Sequence, residues 1–196
     1  MSEKKINPDN IEAFSSKEVS SLENALKLLK IQEGKVLETP PIVYEILWRF
    51  YKDENILLSQ IKYLGWKDFQ VWFVFPEYKL WKKWLEHISW VQMTLARFQS
   101  LYTWIILSIK QWTINSELSY DVCLRNMCNV LYRGWTITHR KVLFPWEVWT
   151  LTLRIDDVLK KWPFYTIQTE FVKTKDCFLF WKETCVLEDR FVNLSD

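Results

Sequence analysis

Trp149-Thr150-Leu151-Thr152-Leu153-Arg154-Ile155 alternates large apolar residues with threonine and arginine. Successive side chains of a strand leave on opposite faces, so Trp149, Leu151, Leu153 and Ile155 share one face and the polar residues the other. This is the pattern of a half-buried antiparallel strand. Trp135-Thr136-Ile137-Thr138-His139 repeats it ahead of that stretch, and residues 164–172 repeat it behind. Phe178-Leu179-Phe180-Trp181 is strand or helix, because four residues do not fix a period. The carboxy-terminal half therefore reads as an antiparallel sheet.

Moving toward the amino terminus, the period changes. Trp81, Trp84, Leu85, Ile88, Val91, Leu95, Phe98, Tyr102, Ile105 and Ile109 advance by threes and fours and predict one long helix, with a break near Ser100. Ser116 and Glu117 open a further helix that carries Val122, Cys123, Met127, Val130 and Leu131 inward and ends at Gly134. Residues 69–75, rich in aromatic and branched side chains, read as a strand stopped by Pro76. Ile56, Leu57, Ile61 and Leu64 share a helical face that Gly65 closes, and Ile42, Val43, Ile46, Leu47 and Phe50 give a helix from Pro41 to about residue 51. The fold class is α+β, with helices in the first half and the sheet in the second.

Composition shifts near Pro40. Residues 1–39 hold seven acids and six bases, no Trp or Tyr, and the single aromatic Phe14. This divides the chain into a polar arm, 1–39, and a Trp-rich globular domain, 40–196. Within the arm Val19, Leu22, Leu26 and Leu29 recur at helical spacing, predicting an amphipathic helix over 18–33, capped by Ser16 or Ser20, that docks on the domain or on a partner.

The 196 residues include 26 Lys+Arg against 24 Asp+Glu, a formal net charge of +2. Glycine occurs three times, at Gly34, Gly65 and Gly134, where ordinary usage supplies about 14. Three scattered glycines exclude a phosphate-cradling loop, a dinucleotide fingerprint and a nucleophile elbow, each of which needs clustered glycine. The amino terminus lacks an apolar segment of the secretory kind, and no apolar run nears the roughly 20 residues of a membrane span. A cytoplasmic chain is expected. Cys123, Cys128, Cys177 and Cys185 lack CxxC spacing and read as free thiols, with no metal site and no cofactor.

Chemistry-bearing residues are few. His87 falls in the predicted long helix and His139 ends a strand, so a pair such as Cys128 with His139 is conceivable but carries no family signature. Asp156-Asp157 is read as capping a short helical turn over 158–162. No catalytic residue is assigned, and a non-enzymatic protein is expected.

Basic residues interleave with aromatics instead. Lys79, Lys82 and Lys83 flank Trp81 and Trp84; Arg133, Arg140 and Lys141 bracket Trp135; Lys160 and Lys161 precede Trp162. Such clusters suit anionic lipid headgroups or, as the alternative, a single-stranded RNA. Trp66, Trp90, Trp112 and Trp146 fall off the apolar faces and are expected at the surface, where tryptophan favours protein contacts. Pro40, Pro41, Tyr44 and Leu47 form a candidate linear motif.

A polar arm, then Pro40-Pro41 with Tyr44, then a strand and a helix, then strands carrying 151–157, resembles the matrix proteins of rhabdoviruses, or a small accessory protein of such a virus. The resemblance implies a virion protein that self-associates, binds the inner membrane leaflet and nucleocapsid, and recruits budding machinery through a proline-tyrosine motif. The resulting expectation is a matrix-like or accessory interaction protein that acts through protein partners and an anionic membrane surface.

Overall fold

The structure, a computed structural model, describes residues 12–77, 79–80, 83–84, 87–111, 118–139, 142–172 and 179–189. In chain order the elements are α1 (Ser16–Leu28), β1 (Val36–Glu38), α2 (Pro41–Trp48), β2 (Leu58–Gly65), β3 (Asp68–Val74), β4 (Lys79–Leu80) and β5 (Lys83–Trp84). There follow α3 (Trp90–Lys110), α4 (Tyr120–Asn126), β6 (Val130–His139), β7 (Val148–Lys161), β8 (Phe164–Val172) and β9 (Leu179–Glu188).

Seven strands form one antiparallel sheet in the order β1-β2-β3-β7-β8-β9-β6. The pairs β2–β3, β7–β8 and β8–β9 join neighbours in sequence, whereas β3 meets β7 in mid-sheet. After β3 the chain leaves through α3 and α4, returns at the far edge as β6, and then crosses back to β7. That detour lays α3 along the sheet. The helix packs on β2, β3 and β7 and is covered from behind by α2 and α4.

Enclosure from both sides shows in burial. From Ala96 to Ser108, eleven of the thirteen residues are buried, all but Phe98 and Tyr102. Trp104 is the largest fully buried side chain, alongside Phe69, Phe73 and Phe75 of the β3 segment. The apolar stripe of α1, Val19, Leu22 and Leu26, joins the same hydrophobic cluster. The docking role expected of that helix is therefore the one observed. Its start is fixed by Ser15, not Ser16 or Ser20: the Glu18 amide donates to Ser15 Oγ, and the Ser15 amide donates to the Glu18 carboxylate at 2.8 Å.

The α+β class and the antiparallel sheet are observed, but the sheet draws strands from both halves of the chain. Residues 58–65 are strand rather than helix. The threes-and-fours spacing of Ile56, Leu57, Ile61 and Leu64 is overridden by pairing to both neighbours, and irregular register at Leu58/Gln60 and Tyr63/Gly65 blurs the strand alternation. Gly65 closes a hairpin instead of a helix; at φ +95°, an added Cβ would lie 2.7 Å from the Glu33 carboxylate.

The long helix starts at Trp90, nine residues later than the spacing of Trp81 suggested. Ser89 caps it, accepting from the Gln92 amide at 3.2 Å while the Gln92 side chain accepts from the Ser89 amide at 3.1 Å. The next helix is shorter than expected, and Val130 and Leu131 belong to β6. Asp156-Asp157 lie inside β7, at a bulge between Ile155 and Asp157, and the strand runs on to Lys161 where a helical turn was predicted. Residues 179–181 resolve as strand, the start of β9. Among the described residues no helix is long and apolar enough to cross a membrane.

Candidate functional site

One buried charged pair joins α3 to β9. Arg97 leaves α3 toward the sheet, and Glu183 leaves β9 on the inner face, in phase with Cys185 and Leu187, both core residues. Arg97 Nε donates to Glu183 Oε2 at 2.7 Å and Nη2 donates to the same oxygen. The side chains are 3% and 1% exposed. Thr169 of β8 and Trp135 of β6 are the register partners of Glu183 on either side.

Burial raises the Glu183 carboxyl above its usual range, and the neighbouring Arg97 guanidinium only partly offsets this. Cys185 is pushed far up by burial and then by the Glu183 charge, which leaves a protonated, unreactive thiol beside the pair. Cys123 is likewise pushed up to about 12 by burial alone.

Other polar groups in the interior have packing roles. Gln99 accepts from the Leu57 amide at 2.8 Å and donates to the Asn55 carbonyl at 2.5 Å, which ties α3 to the entry of β2. Asn126 Nδ2 donates to Asp189 at 3.0 Å, joining α4 to the end of β9. Among the described residues no three His, Cys, Asp or Glu side chains gather as metal ligands do.

Among the described residues, three recesses mark the surface. One of about 650 Å³ is lined by Thr39, Pro41, Tyr44, Glu45, Trp48 and Asp53; one of about 410 Å³ by residues 48–54; and one of about 310 Å³ by Arg133, Lys161, Trp162, Phe164, Thr166 and Val186. None is lined by Arg97 or Glu183.

The residues singled out in the sequence do not converge. Pro40 is buried, Pro41 exposed, and Tyr44 half-exposed with its hydroxyl donating to Asp53 at 3.0 Å, a bond that raises the phenol's pKa. Leu47 is 1% exposed, so Tyr44 and Leu47 cannot be offered together as a linear motif while α2 is folded. Lys79, Lys83 and Trp84 fall in the β4–β5 hairpin, while Trp81, Lys82, Arg140 and Lys141 lie outside the described residues. Arg133 is exposed on β6, and Trp135 follows across a bulge.

Of the tryptophans expected at the surface, Trp66, Trp90 and Trp146 are exposed and Trp112 lies outside the described residues. His87 is exposed ahead of α3 rather than within it. Cys128 precedes β6 and His139 ends it, separated by a strand roughly 30 Å long, so they form no pair.

Arg97 and Glu183 were missed. Their signal was a charge at an apolar phase: Arg97 follows Ala96 inside the helical run, and Glu183 precedes Cys185 and Leu187 on the inward-facing alternation of β9.

No family model and no curated protein matches the sequence. Among solved structures, the chain is similar to the PaaI protein of the Escherichia coli phenylacetic acid degradation operon, at 10% identity over 86% of this chain and 89% of that one, with a TM-score of 0.38. It is similar to a hypothetical thioesterase with coenzyme A from Streptococcus pneumoniae, at 9% identity over 66% and 84%, TM-score 0.41. It is also similar to the dehydratase heterocomplex ApeI:P from Xenorhabdus doucetiae, at 9% identity over 71% and 88%, TM-score 0.42. At these scores and identities no activity passes from them to this chain.

These findings correct the resemblance to rhabdovirus matrix or accessory proteins: the solved structures similar to this chain include a hypothetical thioesterase and a dehydratase heterocomplex. The viral setting, the non-enzymatic interaction role and the RNA-binding alternative are corrected with it. The element order that suggested the resemblance is itself changed, because residues read as two leading helices supply α2 and an inner strand of the sheet.

Proposed function

We infer that the chain is an enzyme-type domain of the hotdog kind, an antiparallel sheet wrapped along one central helix, and that it hydrolyses acyl thioesters with Glu183 as proton acceptor. The observation that carries this reading is Glu183 itself: a carboxyl in mid-fold, raised by burial and held by one specific cation. Such perturbation is what a catalytic acid or base requires.

The chemistry selects the substrate class. Glu183 takes a proton from water as the water oxygen adds to the acyl carbon; the carbonyl electron pair moves to oxygen, where the Arg97 guanidinium opposes the new charge. Collapse re-forms the carbonyl and expels the leaving group. A thiol, with an ordinary pKa of about 8.5, departs as thiolate, whereas an amine must first be protonated.

The pair is closed to solvent, so an acyl group enters only if a neighbouring element gives way. β6 meets Glu183 at Trp135 and is an edge strand with ten residues, its outer side unpaired among the described residues. An edge of that length is a template for another strand. We assign a second copy of this chain to it, a self-association that sedimentation across a concentration series tests.

The activity test is release of free coenzyme A, measured by chromatography, from short-, medium- and long-chain acyl-coenzyme A. Release by the wild type that Glu183→Gln lowers by about 10²–10⁴-fold and Glu183→Asp partly restores, in protein with an unchanged circular dichroism spectrum, is the expected result. Folded wild type that releases nothing from any chain length overturns the reading.

A further inference from the structure

The solvent face of the sheet carries a feature with no role in the core or in the Arg97–Glu183 pair. Val186 of β9 lies between Cys185 and Leu187, which both face the core, so it points the other way, yet it is 3% exposed and stands outside the core cluster. A valine on the open face of a sheet is buried only if its neighbours rise around it. They do so here: Val186 and its cross-strand partner Thr166 floor a recess of about 310 Å³ walled by Trp162, Phe164, Arg133 and Lys161. This volume is at the small end of the range for ligand pockets, about 300–1,000 Å³.

The walls differ in kind. Trp162 is 58% exposed and Phe164 36%, and both stand at the β7–β8 turn. Lys161 ends β7 and Arg133 sits on β6, so the strand order places one cation on each side of the β8–β9 floor. Lys160, in register with the core residue Tyr165, has its Nζ 5.9 Å from the Trp162 ring centroid but does not line the recess. Glu188, in register with Phe164, is the carboxylate nearest along this face, and it does not line the recess.

We propose that this recess is a binding site for a small aromatic anion: a planar ring against Trp162 and Phe164, bearing a carboxylate, sulfonate or phosphate that Arg133 grips and Lys161 draws in. A guanidinium matches a planar or tetrahedral oxyanion with two parallel donors, and an aromatic wall supplies the apolar remainder. The site is independent of the thioesterase reading, being on the opposite face of the sheet from Glu183.

The test is a fluorescence titration with anilinonaphthalene sulfonate, followed by displacement with phenyl phosphate, benzoate or inorganic phosphate. Arg133→Gln with Lys161→Gln, and separately Trp162→Ala, are compared with Trp146→Ser, which removes an equally exposed tryptophan elsewhere. The expected result is saturable binding, weakened about tenfold by each recess variant, unchanged in Trp146→Ser, and reversed by an aryl anion better than by phosphate. Binding unaltered by both recess variants, lost in Trp146→Ser, or displaced equally by phosphate alone, overturns the proposal.

Discussion

Arg97–Glu183 and Arg154–Asp68 are both arginine–carboxylate pairs, and the sheet holds both. Arg154 makes the better fork, with Nε donating at 2.6 Å and Nη2 at 2.7 Å to the two oxygens of Asp68, Glu170 at 3.9 Å, and its guanidinium 5.3 Å from the Trp66 ring centroid. Yet its members are 28% and 22% exposed, so water screens them. The hydrogen bond to Asp68 strengthens the hold of Arg154 on its proton, while Glu183, in dry surroundings, moves toward the neutral form. Geometry alone does not set the worth of an ion pair; solvent access decides whether it is surface bracing or a charged group at high cost in the core.

That contrast can be broken most forcefully by Arg97→Met. It strands a carboxyl in the core, and a loss of about 3–5 kcal/mol in urea unfolding at neutral pH is expected. Adding Glu183→Leu recovers most of the loss. The sign with pH follows from a folded-state pKa above the ordinary 4.5: the contribution of Glu183 to stability is complete below the unfolded value and declines as pH rises through the folded one. The Arg97→Met defect therefore shrinks on acidification toward and below pH ~4.5. A defect that grows in acid contradicts the assignment.

Leu26→Ala supplies a benchmark without charge. The side chain is fully buried between α1 and the core, and a loss of about 2–5 kcal/mol with little dependence on pH or salt is expected in the same assay. Arg154→Gln is the smallest change: less than about 1 kcal/mol, further reduced in high salt, because the pair is already screened. If Arg154→Gln equals Arg97→Met, burial is not what separates the two. Peptide mapping after brief alkylation sharpens the picture of the interior: exposed Cys128 is modified well before the buried Cys123 and Cys185.

Regular alternation was legible in β7, where Leu151, Leu153 and Ile155 are buried in the core and Arg154 between them is partly exposed. It failed at β2, where two register shifts interrupt the alternation and Ile61 and Leu64 happen to fall at helical spacing. Periodicity was also extended too far for α3. Trp84, which lies in β5, fits the helical phase by chance, and the local signal that fixes the start is the reciprocal bonding of Ser89 and Gln92. The buried pair was illegible for a different reason: Arg97 and Glu183 stand eighty-six positions apart in the chain, and only the folded structure brings them together. A charge at an apolar phase marked each residue but did not name its partner.

The most direct measurement is the pH dependence of kcat/KM for coenzyme A release by the wild type and by Glu183→Gln. A rate that falls in acid through an apparent pKa above 4.5, with that inflection gone in the variant, is the predicted result. The same inflection retained in Glu183→Gln would contradict the assignment of Glu183 as the proton acceptor.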